Sequence, residues 1–385
     1  MTHASKGPLS GVLVIDLSRI LAGPYCTLMM AELGARVIKV EPPKGGDDAR
    51  AYGPFVNGRS TYFASVNRGK ESIALDLKAD ADRQVFEKLL EKADVVVENF
   101  RPGTMEKLGY GWEALHKRYP RLVYAAASGF GHTGPYAQQP AYDMVVQGLG
   151  GMMSITGPPG GPPVRVGMSI GDIGAGLYTA IAVNAALLHR ERTGEATMVD
   201  IGMLDCQIAL LENAVMRYGV TGEVPGPLGA RHPTIAPFEA FATRDGSIII
   251  AAGNDGLFQK LCEALARPEM AQSPDYKTND LRLHHQPRLK AEIEKELRKQ
   301  PTRHWLKALD AAGLPCGPIN DIAEAMAHPQ VAARNMLVTV DDPKAGTLTL
   351  AGNPLKLSGF PDPAKREPAP ELDADRAAIL KELGL

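Results

Sequence analysis

The residue in this chain best suited to covalent chemistry is Asp172. Glycines surround it in residues 167–176, and the apolar, alanine-rich stretch 177–188 predicts a helix, which puts Asp172 at or just before a helix N-terminus. A helix start offers unpaired N–H groups and a partial positive charge, so we expect this carboxylate to stay ionised. An ionised carboxylate in a narrow, glycine-lined place is a candidate nucleophile. The structural alternative is that Asp172 only caps the helix.

Alternating strands and helices precede this stretch and must position it. Apolar runs at 12–17, 37–40, 72–77, 94–97 and 122–127 read as buried strands, and helical patterns lie between them at 25–33, 79–92 and 112–118. Such alternation predicts an α/β fold with a parallel, helix-covered sheet and right-handed crossovers.

The later half of the chain predicts a second domain. Residues 219–229 are rich in glycine and proline, and residues 238–250 read as a hairpin turning at Asp245-Gly246, with helical patterns after it. We therefore expect a large α/β domain formed by residues 1–218 and 319–385, a linker at 219–225, and a smaller α+β domain at 226–318.

Loops that follow the predicted strands are the expected place for a ligand, because open parallel sheets bind ligands beyond the carboxyl ends of their strands. Loops 18–24, 98–103 and 128–140 qualify. The last contains Gly129-x-Gly131-x-x-Gly134, the spacing of a dinucleotide fingerprint. Pro135 follows where a helix should open, and no acidic residue lies at the expected distance, which disfavours a nicotinamide dinucleotide.

Composition excludes several classes of function. A net charge of −2 gives no general attraction for nucleic acid. The four cysteines are scattered, and His232, His284 and His285 have no partners at ligand spacing, so we expect neither disulfides nor a metal site. Because no run of about 18 uninterrupted apolar residues occurs, we expect no membrane span and a cytoplasmic protein.

Four motifs around Asp172 carry a resemblance to a known family. They are Tyr142-Asp143-x-x-x-Gln147, Thr156-Gly157, Pro163-Val164-Arg165-x-Gly167 and Gly171-Asp172-x-x-x-Gly176. This order resembles the family III CoA-transferases from about residue 8 to residue 357. The resemblance implies that Asp172 is the nucleophile, that coenzyme A enters as substrate without a prosthetic group, and that two chains form an interlocked homodimer.

The resemblance also implies a CoA site. The matching residues are Ala22, Leu75, Lys78, Asn99, Phe100, Arg101, Lys107 and Tyr142. The basic members suit the phosphates of CoA, although Lys78 and Lys107 equally fit solvated helix faces. A Pro-Gly corner at Pro102-Gly103 fixes the loop that carries Asn99 and Arg101.

The implied reaction moves CoA from an acyl-CoA to a carboxylic acid through an aspartyl anhydride and an aspartyl-CoA thioester. Backbone N–H groups at Gly150, Gly151 and Gly174 are candidates to stabilise the oxyanion. One alternative is a 2-methylacyl-CoA racemase, but those relatives carry a histidine where this chain has Tyr142, and an ordinary tyrosine is a weak base at neutral pH. A second alternative is a non-catalytic subunit that binds acyl-CoA.

The acceptor acid is predicted from finer resemblances. Formyl-CoA transferases carry a glutamine at the position of Leu21 and a later glycine-rich loop, and their absence here disfavours oxalate. Stretches 229–238, 252–254 and 276–279 look most like the succinyl-CoA:glutarate type, which implies a dicarboxylate. Arg165, Arg231 and His232 are unranked candidates to bind its distal carboxylate.

Overall fold

The computed structural model describes residues 7–385. The chain forms two compact units. The larger contains residues up to Met153 together with Arg165–Val224 and Pro329–Leu385, and the smaller contains Ser154–Val164 and Pro225–His328. The smaller unit thus includes the expected domain 226–318, but it also takes in the glycine- and proline-rich segment Ser154–Val164 and runs ten residues further toward the C-terminus.

A six-stranded parallel sheet forms the centre of the larger unit, as predicted. Its strands are β1 Leu13–Asp16, β2 Arg36–Glu41, β3 Glu71–Ala74, β4 Val95–Glu98, β5 Val123–Ser128 and β6 Met198–Gly202. Their order is β3-β2-β1-β4-β5-β6, and every neighbouring pair is parallel. Successive strands are added on one side of β1 up to β3 and on its other side from β4 onward. This topology opens a crevice for ligands between β1 and β4, where the order of addition changes side.

Helices cover this sheet and carry the site loops. In chain order they are α1 Ala22–Glu32, α2 Thr61–Asn67, α3 Asp80–Lys92, α4 Thr104–Leu108, α5 Trp112–Arg118, α6 Asp143–Leu149, α7 Ile170–Thr193, α8 Met203–Leu210 and α9 Glu212–Thr221. One face of the sheet packs on α3 through residues such as Phe86 and Leu89, and the other packs on α1 and α7 through residues such as Met30 and Val183.

The smaller unit is an antiparallel sheet packed with helices. Strands β7 Phe238–Ala242 and β8 Ser247–Ala251 form the predicted hairpin, and β9 Cys316–Pro318 pairs with β8. The helices are α10 Asp255–Ala264, α11 Glu269–Gln272, α12 Asn279–His284, α13 Gln286–Leu297, α14 Thr302–Ala311 and α15 Ile322–Ala327.

The chain then returns to the larger unit. The returning elements are α16 Pro329–Ala333, the hairpin β10 Leu337–Asp342 and β11 Gly346–Ala351, the short strand β12 Lys365–Arg366 and α17 Arg376–Leu383. Ile379 of α17 completes the core that α3 shares with the sheet.

Helix α7 is the one described helix long and apolar enough to cross a membrane by length and composition. A search for uninterrupted apolar runs does not find this helix, because Asp172, Thr179 and Asn184 interrupt its alanine, leucine and isoleucine residues. Half of its most apolar window is buried inside the unit, which is also the property of a core helix.

Candidate active site

A cavity of about 320 Å³ lies at the carboxyl edge of the sheet, where the strand order reverses between β1 and β4. Its walls come from the loops after β1, β4 and β5, with single residues from other elements. The lining residues are Arg19, Ile20, Leu21, Ala22, Asp48, Asn99, Phe100, Arg101, Pro102, Ala127, Ser128, Gly129, Ala137, Gln139, Pro140, Ala141, Tyr142, Asp172 and Met203.

Six of the predicted site residues line this cavity. They are Ala22, Asn99, Phe100, Arg101, Tyr142 and Asp172. The others lie elsewhere: Leu75 is buried in the core against α3, and Lys78 and Lys107 are exposed side chains outside the cavity lining. The roles proposed for the six stay predictions, but the fold brings together residues that are up to 150 positions apart in the sequence.

Asn99 joins the loops on either side of the crevice. Its side-chain Nδ2 donates to the carbonyl of Arg19 at 2.8 Å, and its Oδ1 accepts from the N–H of Arg19 at 2.8 Å. The next residue, Ile20, adopts a left-handed φ of 68°, and its N–H donates to Asp47 Oδ1 at 2.9 Å. A β-branched residue is strained at such a φ, so these hydrogen bonds hold the loop in a conformation it would otherwise avoid.

Buried charges support the same loop from below. Lys39 Nζ donates to the carbonyl of Ser18 at 2.7 Å and lies 2.9 Å from Asp47, while Lys70 lies 3.0 Å from Asp16. Burial opposes the charge on Asp16, but Lys70 and Lys39 together with hydrogen bonds hold its pKa below the usual range. Burial also lowers the pKa of Lys70, to about 8, despite the attraction of Asp16.

Asp172 is the third residue of α7, so the helix begins before it rather than at it. Ser169 occupies the N-cap position, which removes the alternative that Asp172 serves as the cap. No hydrogen bond to the Asp172 carboxylate is formed within residues 7–385. Burial, followed by the charge of Asp143, raises the pKa of Asp172 to about 7. The raised pKa argues against the expectation that the helix start alone keeps this carboxylate ionised.

One contribution to the raised pKa comes from Asp143, which already accepts a hydrogen bond from an N–H group in the first turn of α7. Its Oδ1 accepts from the N–H of Gly171 at 2.8 Å, and its Oδ2 accepts from Gln147 Nε2 at 2.8 Å. Gln147 Oε1 in turn accepts from the N–H of Val166 at 2.9 Å. The spacing Tyr-Asp-x-x-x-Gln therefore puts two side chains one turn apart on α6, where they hold the segment that leads into α7.

The glycines of the motif permit close packing around Asp172. A Cβ added to Gly171 would lie 2.7 Å from Val146 Cγ2, and one added to Gly176 would lie 2.7 Å from the carbonyl oxygen of Ala22. Both positions thus exclude any larger residue unless the helices move apart. Glycine at these two positions seats the first turns of α7 against α6 and α1.

The glycines proposed for the oxyanion are placed differently from expectation. The N–H of Gly150 donates to the carbonyl of Val146 at 2.8 Å, and that of Gly151 donates to Gly148 at 3.3 Å. Gly174 lies inside α7, and none of the three lines the cavity. Since these N–H groups serve the ends and interior of helices, the geometry lends no support to the oxyanion role.

Two residues of the site were not singled out by the sequence analysis, although Ser128 begins the predicted ligand loop 128–140. Tyr62 lies near the carboxylates: burial and then the charge of Asp172 raise its pKa to about 12. Its ring packs edge-on against Tyr52 with centroids 5.8 Å apart. Ser128, at the end of β5, lines the cavity with a buried Oγ that has no hydrogen-bond partner among residues 7–385. No sequence motif singles out either residue, because only the fold carries them to Asp172.

Comparison with known proteins agrees with this architecture. The sequence model of "CoA-transferase family III" matches residues 9–376. An acetyl-CoA:oxalate CoA-transferase of Acetobacter aceti is 49% identical over 98% of this chain and 96% of its own length. A succinate–glutarate CoA-transferase of Agrobacterium fabrum is 42% identical over 98% and 96%. A crystal structure of a CAIB/BAIF family protein from Brucella suis superposes with a TM-score of 0.85 at 39% identity, covering 98% of this chain and 99% of that one.

The fold and the cavity thus define an α/β enzyme with a carboxylate at the switch point of its sheet. The chain belongs to CoA-transferase family III, as the motifs predicted. Its substrates are therefore CoA thioesters and carboxylic acids.

Proposed function

We propose that the protein transfers CoA from an acyl-CoA donor such as succinyl-CoA to a short dicarboxylic acid, with Asp172 as covalent nucleophile. One observation carries the proposal. Asp172 is a carboxylate that lines the switch-point cavity and forms no hydrogen bond within residues 7–385, and its pKa is raised to about 7 by burial and by Asp143. A poorly solvated carboxylate is a stronger nucleophile than one paired with a cation or with N–H donors.

The proposed chemistry begins with two exchanges at the aspartyl group. An Asp172 oxygen attacks the thioester carbonyl of the donor, the C–S bond breaks, and CoA leaves as thiolate beside a mixed anhydride. The thiolate then attacks the aspartyl carbonyl of the anhydride and releases the donor carboxylate, which leaves an aspartyl-CoA thioester. Every attacking group is an anion and every leaving group is an anion, so no proton moves. Asp172 accordingly needs no neighbouring general base.

The acceptor completes the cycle. Its carboxylate attacks the aspartyl carbonyl of the thioester and releases CoA thiolate, forming a second anhydride. The thiolate attacks the acyl carbon of the acceptor in that anhydride, which gives the new acyl-CoA and restores the Asp172 carboxylate. The CoA moiety must stay bound between these steps. We assign this binding to the loops after β1 and β4, which line the cavity.

A trapping experiment tests the nucleophile. The enzyme is incubated with succinyl-CoA and hydroxylamine, digested, and analysed by mass spectrometry. We expect a hydroxamate on the peptide that contains Asp172, no such product in Asp172→Asn, and an unmodified Asp205 as the internal control on the neighbouring helix α8. A hydroxamate on another residue, or full transferase activity in Asp172→Asn, would refute the mechanism.

Arg165 is the basic residue we propose for the distal carboxylate of the acceptor. It belongs to the same unit as Asp172, its side chain is 46% exposed, and its Nη1 lies 4.0 Å from Asp143 Oδ2. The other two candidates have partners within the smaller unit, since Arg231 donates to Gln286 Oε1 and His232 stacks on Phe238. Arg165 donates to the carbonyl of Gly167 at 3.2 Å as its own contact, and its half-exposed guanidinium is the one of the three that shares the unit of Asp172.

A panel of acceptors tests that assignment. Oxalate, succinate, glutarate and mesaconate are compared with propionate, and oxalate is included because of the 49% identical relative, against the expectation from Leu21. We expect Arg165→Gln to raise KM for the preferred dicarboxylate at least tenfold, as loss of a charge-assisted hydrogen bond implies. Activity with propionate should hardly change. Arg192→Gln, at the far end of α7, is the control, and equal losses for propionate and the dicarboxylate would contradict the assignment.

A homodimer is the assembly we propose. Helices α7 to α9 carry solvent-exposed apolar side chains, including Ile181 at 64% exposure, Met216 at 64% and Val220 at 76%. Exposed apolar surface of this extent is typical of a face that a partner covers. A second copy of the chain fits the resemblance, and the exposed half of α7 then needs no lipid.

A further inference from the structure

Glu98, the last residue of β4, is a buried carboxyl group that has His132 Nε2 3.8 Å from its Oε1. Only 2% of the residue is exposed, and no lysine or arginine contacts its carboxylate in the described part of the chain. Its Oε2 accepts from the N–H of Phe100 at 2.7 Å, and its Oε1 accepts from the hydroxyl of Tyr124 at 3.0 Å. Burying a carboxylate with two neutral donors is costly, so its presence calls for a reason.

The contact with Phe100 suggests the reason. Phe100 and Arg101 line the cavity, and Asn99 before them ties this loop to Arg19 across the crevice. Glu98 thus fixes the backbone of the loop at the residue between the Asn99 clamp and the Arg101 cation.

We propose that Glu98 is a positioning residue for CoA, which in its ionised form holds Phe100 and Arg101 in the conformation that binds the nucleotide end. This inference rests on the proposed function, since it takes loop 99–101 as part of the CoA site. The ionised form accepts a charge-assisted hydrogen bond from the N–H of Phe100, and this bond is stronger than the one that a neutral carboxyl accepts. Protonation of Glu98 therefore weakens CoA binding.

The groups around Glu98 make this protonation accessible near neutral pH. Tyr124 faces it from β5 and His132 from the loop after β5, with Nε2 buried, unpartnered among residues 7–385 and 3.8 Å from Glu98 Oε1. Glu106 on α4 and Asp200 on β6 add negative charge. Burial, with smaller contributions from Glu106 and Asp200, raises the pKa of Glu98 to about 7 against the effect of its two hydrogen bonds.

Calorimetric titration with free CoA tests the proposal. Measurements at pH 6 and pH 8 are made on Asp172→Asn, so that the nucleophile does not titrate, and on the same protein with Glu98→Gln. The glutamine retains an oxygen for Phe100 and a polar group for Tyr124 but has no charge at either pH. The 3′-phosphate of CoA itself titrates at about pH 6, as phosphomonoesters do. Its effect is the same for both proteins, so the quantity to compare is the change in CoA affinity with pH in one protein against that in the other.

We expect the affinity of the Glu98 protein for CoA to fall by about fivefold more between pH 8 and pH 6 than that of the Glu98→Gln protein, the difference between a charged and a neutral acceptor. At pH 7 the Glu98 protein should also release more protons on binding CoA, measured in buffers of different ionisation enthalpy. Glu106→Gln is the control: it removes a nearby charge without touching Phe100, so it should move the midpoint slightly to lower pH while CoA affinity stays pH-dependent.

Two outcomes separate this inference from the proposed site. If Arg101→Ala leaves CoA affinity unchanged, loop 99–101 is not part of the CoA site and the proposed function is wrong in its placement of CoA. If Arg101→Ala weakens CoA but Glu98→Gln keeps the pH dependence and proton release of its parent, the site stands and the role of Glu98 is overturned.

Discussion

The pH dependence of the chemical step follows from the surroundings of Asp172, and the substitution Asp143→Asn tests it. Burial and the charge of Asp143 raise the pKa of Asp172 from an ordinary 3.8 to about 7. That difference corresponds to about 4 kcal/mol by which the site disfavours the ionised over the neutral carboxyl. Because only the carboxylate attacks, an enzyme with a pKa near 7 is about one-tenth active at pH 6 and nine-tenths active at pH 8.

We therefore expect the rate of enzyme acylation to increase about tenfold between pH 6 and pH 8 in the wild type. Asp143→Asn removes the second cause of the high pKa, so the midpoint should move to lower pH and the rate at pH 6 should approach the rate at pH 8. The asparagine can still accept from the N–H of Gly171, but its amide faces Gln147 Nε2. We expect the loss of that one hydrogen bond to cost about 1 kcal/mol of stability.

The assay is a single-turnover measurement of CoA release from succinyl-CoA in rapid quench, because a steady-state kcat could report product release instead. Asp205→Asn, an exposed aspartate on α8, controls for the change in net charge. A wild-type rate that is flat between pH 5.5 and 8.5 would refute the reasoning. So would a midpoint in Asp143→Asn that equals or exceeds that of the wild type.

Four further predictions concern stability, binding, the racemase alternative and assembly. The folded pKa of Asp172 lies above its unfolded value, so the folded protein holds the proton more tightly and loses stability as pH rises from about 4 to 7; Asp172→Asn should raise the melting temperature most at pH 8, less at pH 5 and hardly at all below about pH 4, and a lower melting temperature at pH 8 would contradict this. Ser128→Ala should raise KM for the acyl-CoA several-fold with melting temperature unchanged, since its buried hydroxyl has no protein partner to lose among residues 7–385, and an unaltered KM would show that substrate does not use it. Solvent deuterium should not enter the α-carbon of a 2-methylacyl-CoA, because Tyr142, which is 68% exposed, offers only a phenol hydroxyl, a weak base at neutral pH; wash-in at the rate of CoA transfer would favour the racemase. Tagged and untagged dimers mixed under native conditions should form no hybrids over hours if the chains are interlocked, whereas rapid mixing would exclude that arrangement.

Local periodicity was enough to predict the α/β sheet, the later hairpin and the loops at the carboxyl edge. The start of α7 was misjudged because Ile170 to Gly176 contains three glycines, which lower helix propensity, while packing against α1 and α6 overrides that preference. The dinucleotide-like glycines follow β5 rather than β1, although the strand order is that of a dinucleotide fold.

The charge state of Asp172 lay beyond sequence reasoning for a physical reason. A helix start favours an anion only if its N–H groups are available, and here Asp143 accepts from Gly171 across a separation of 28 residues. Tyr62 was missed for the same reason, and Ser128 was predicted only as part of loop 128–140, since the role of each side chain depends on distances in space. Residues joined by a motif could be found from the sequence, whereas those joined only by the fold could not.

The buried charges beneath the loop after β1 have a consequence for protein engineering. Asp16, Lys39 and Lys70 hold that loop from inside the sheet and do not line the cavity. Tyr52 and Arg165 are exposed, and neither belongs to the core of the sheet. A mutational library aimed at a new acceptor acid can therefore vary such exposed positions freely and should keep the three buried residues constant, because substitution there would unfold the loop in most clones before any selection for substrate could act.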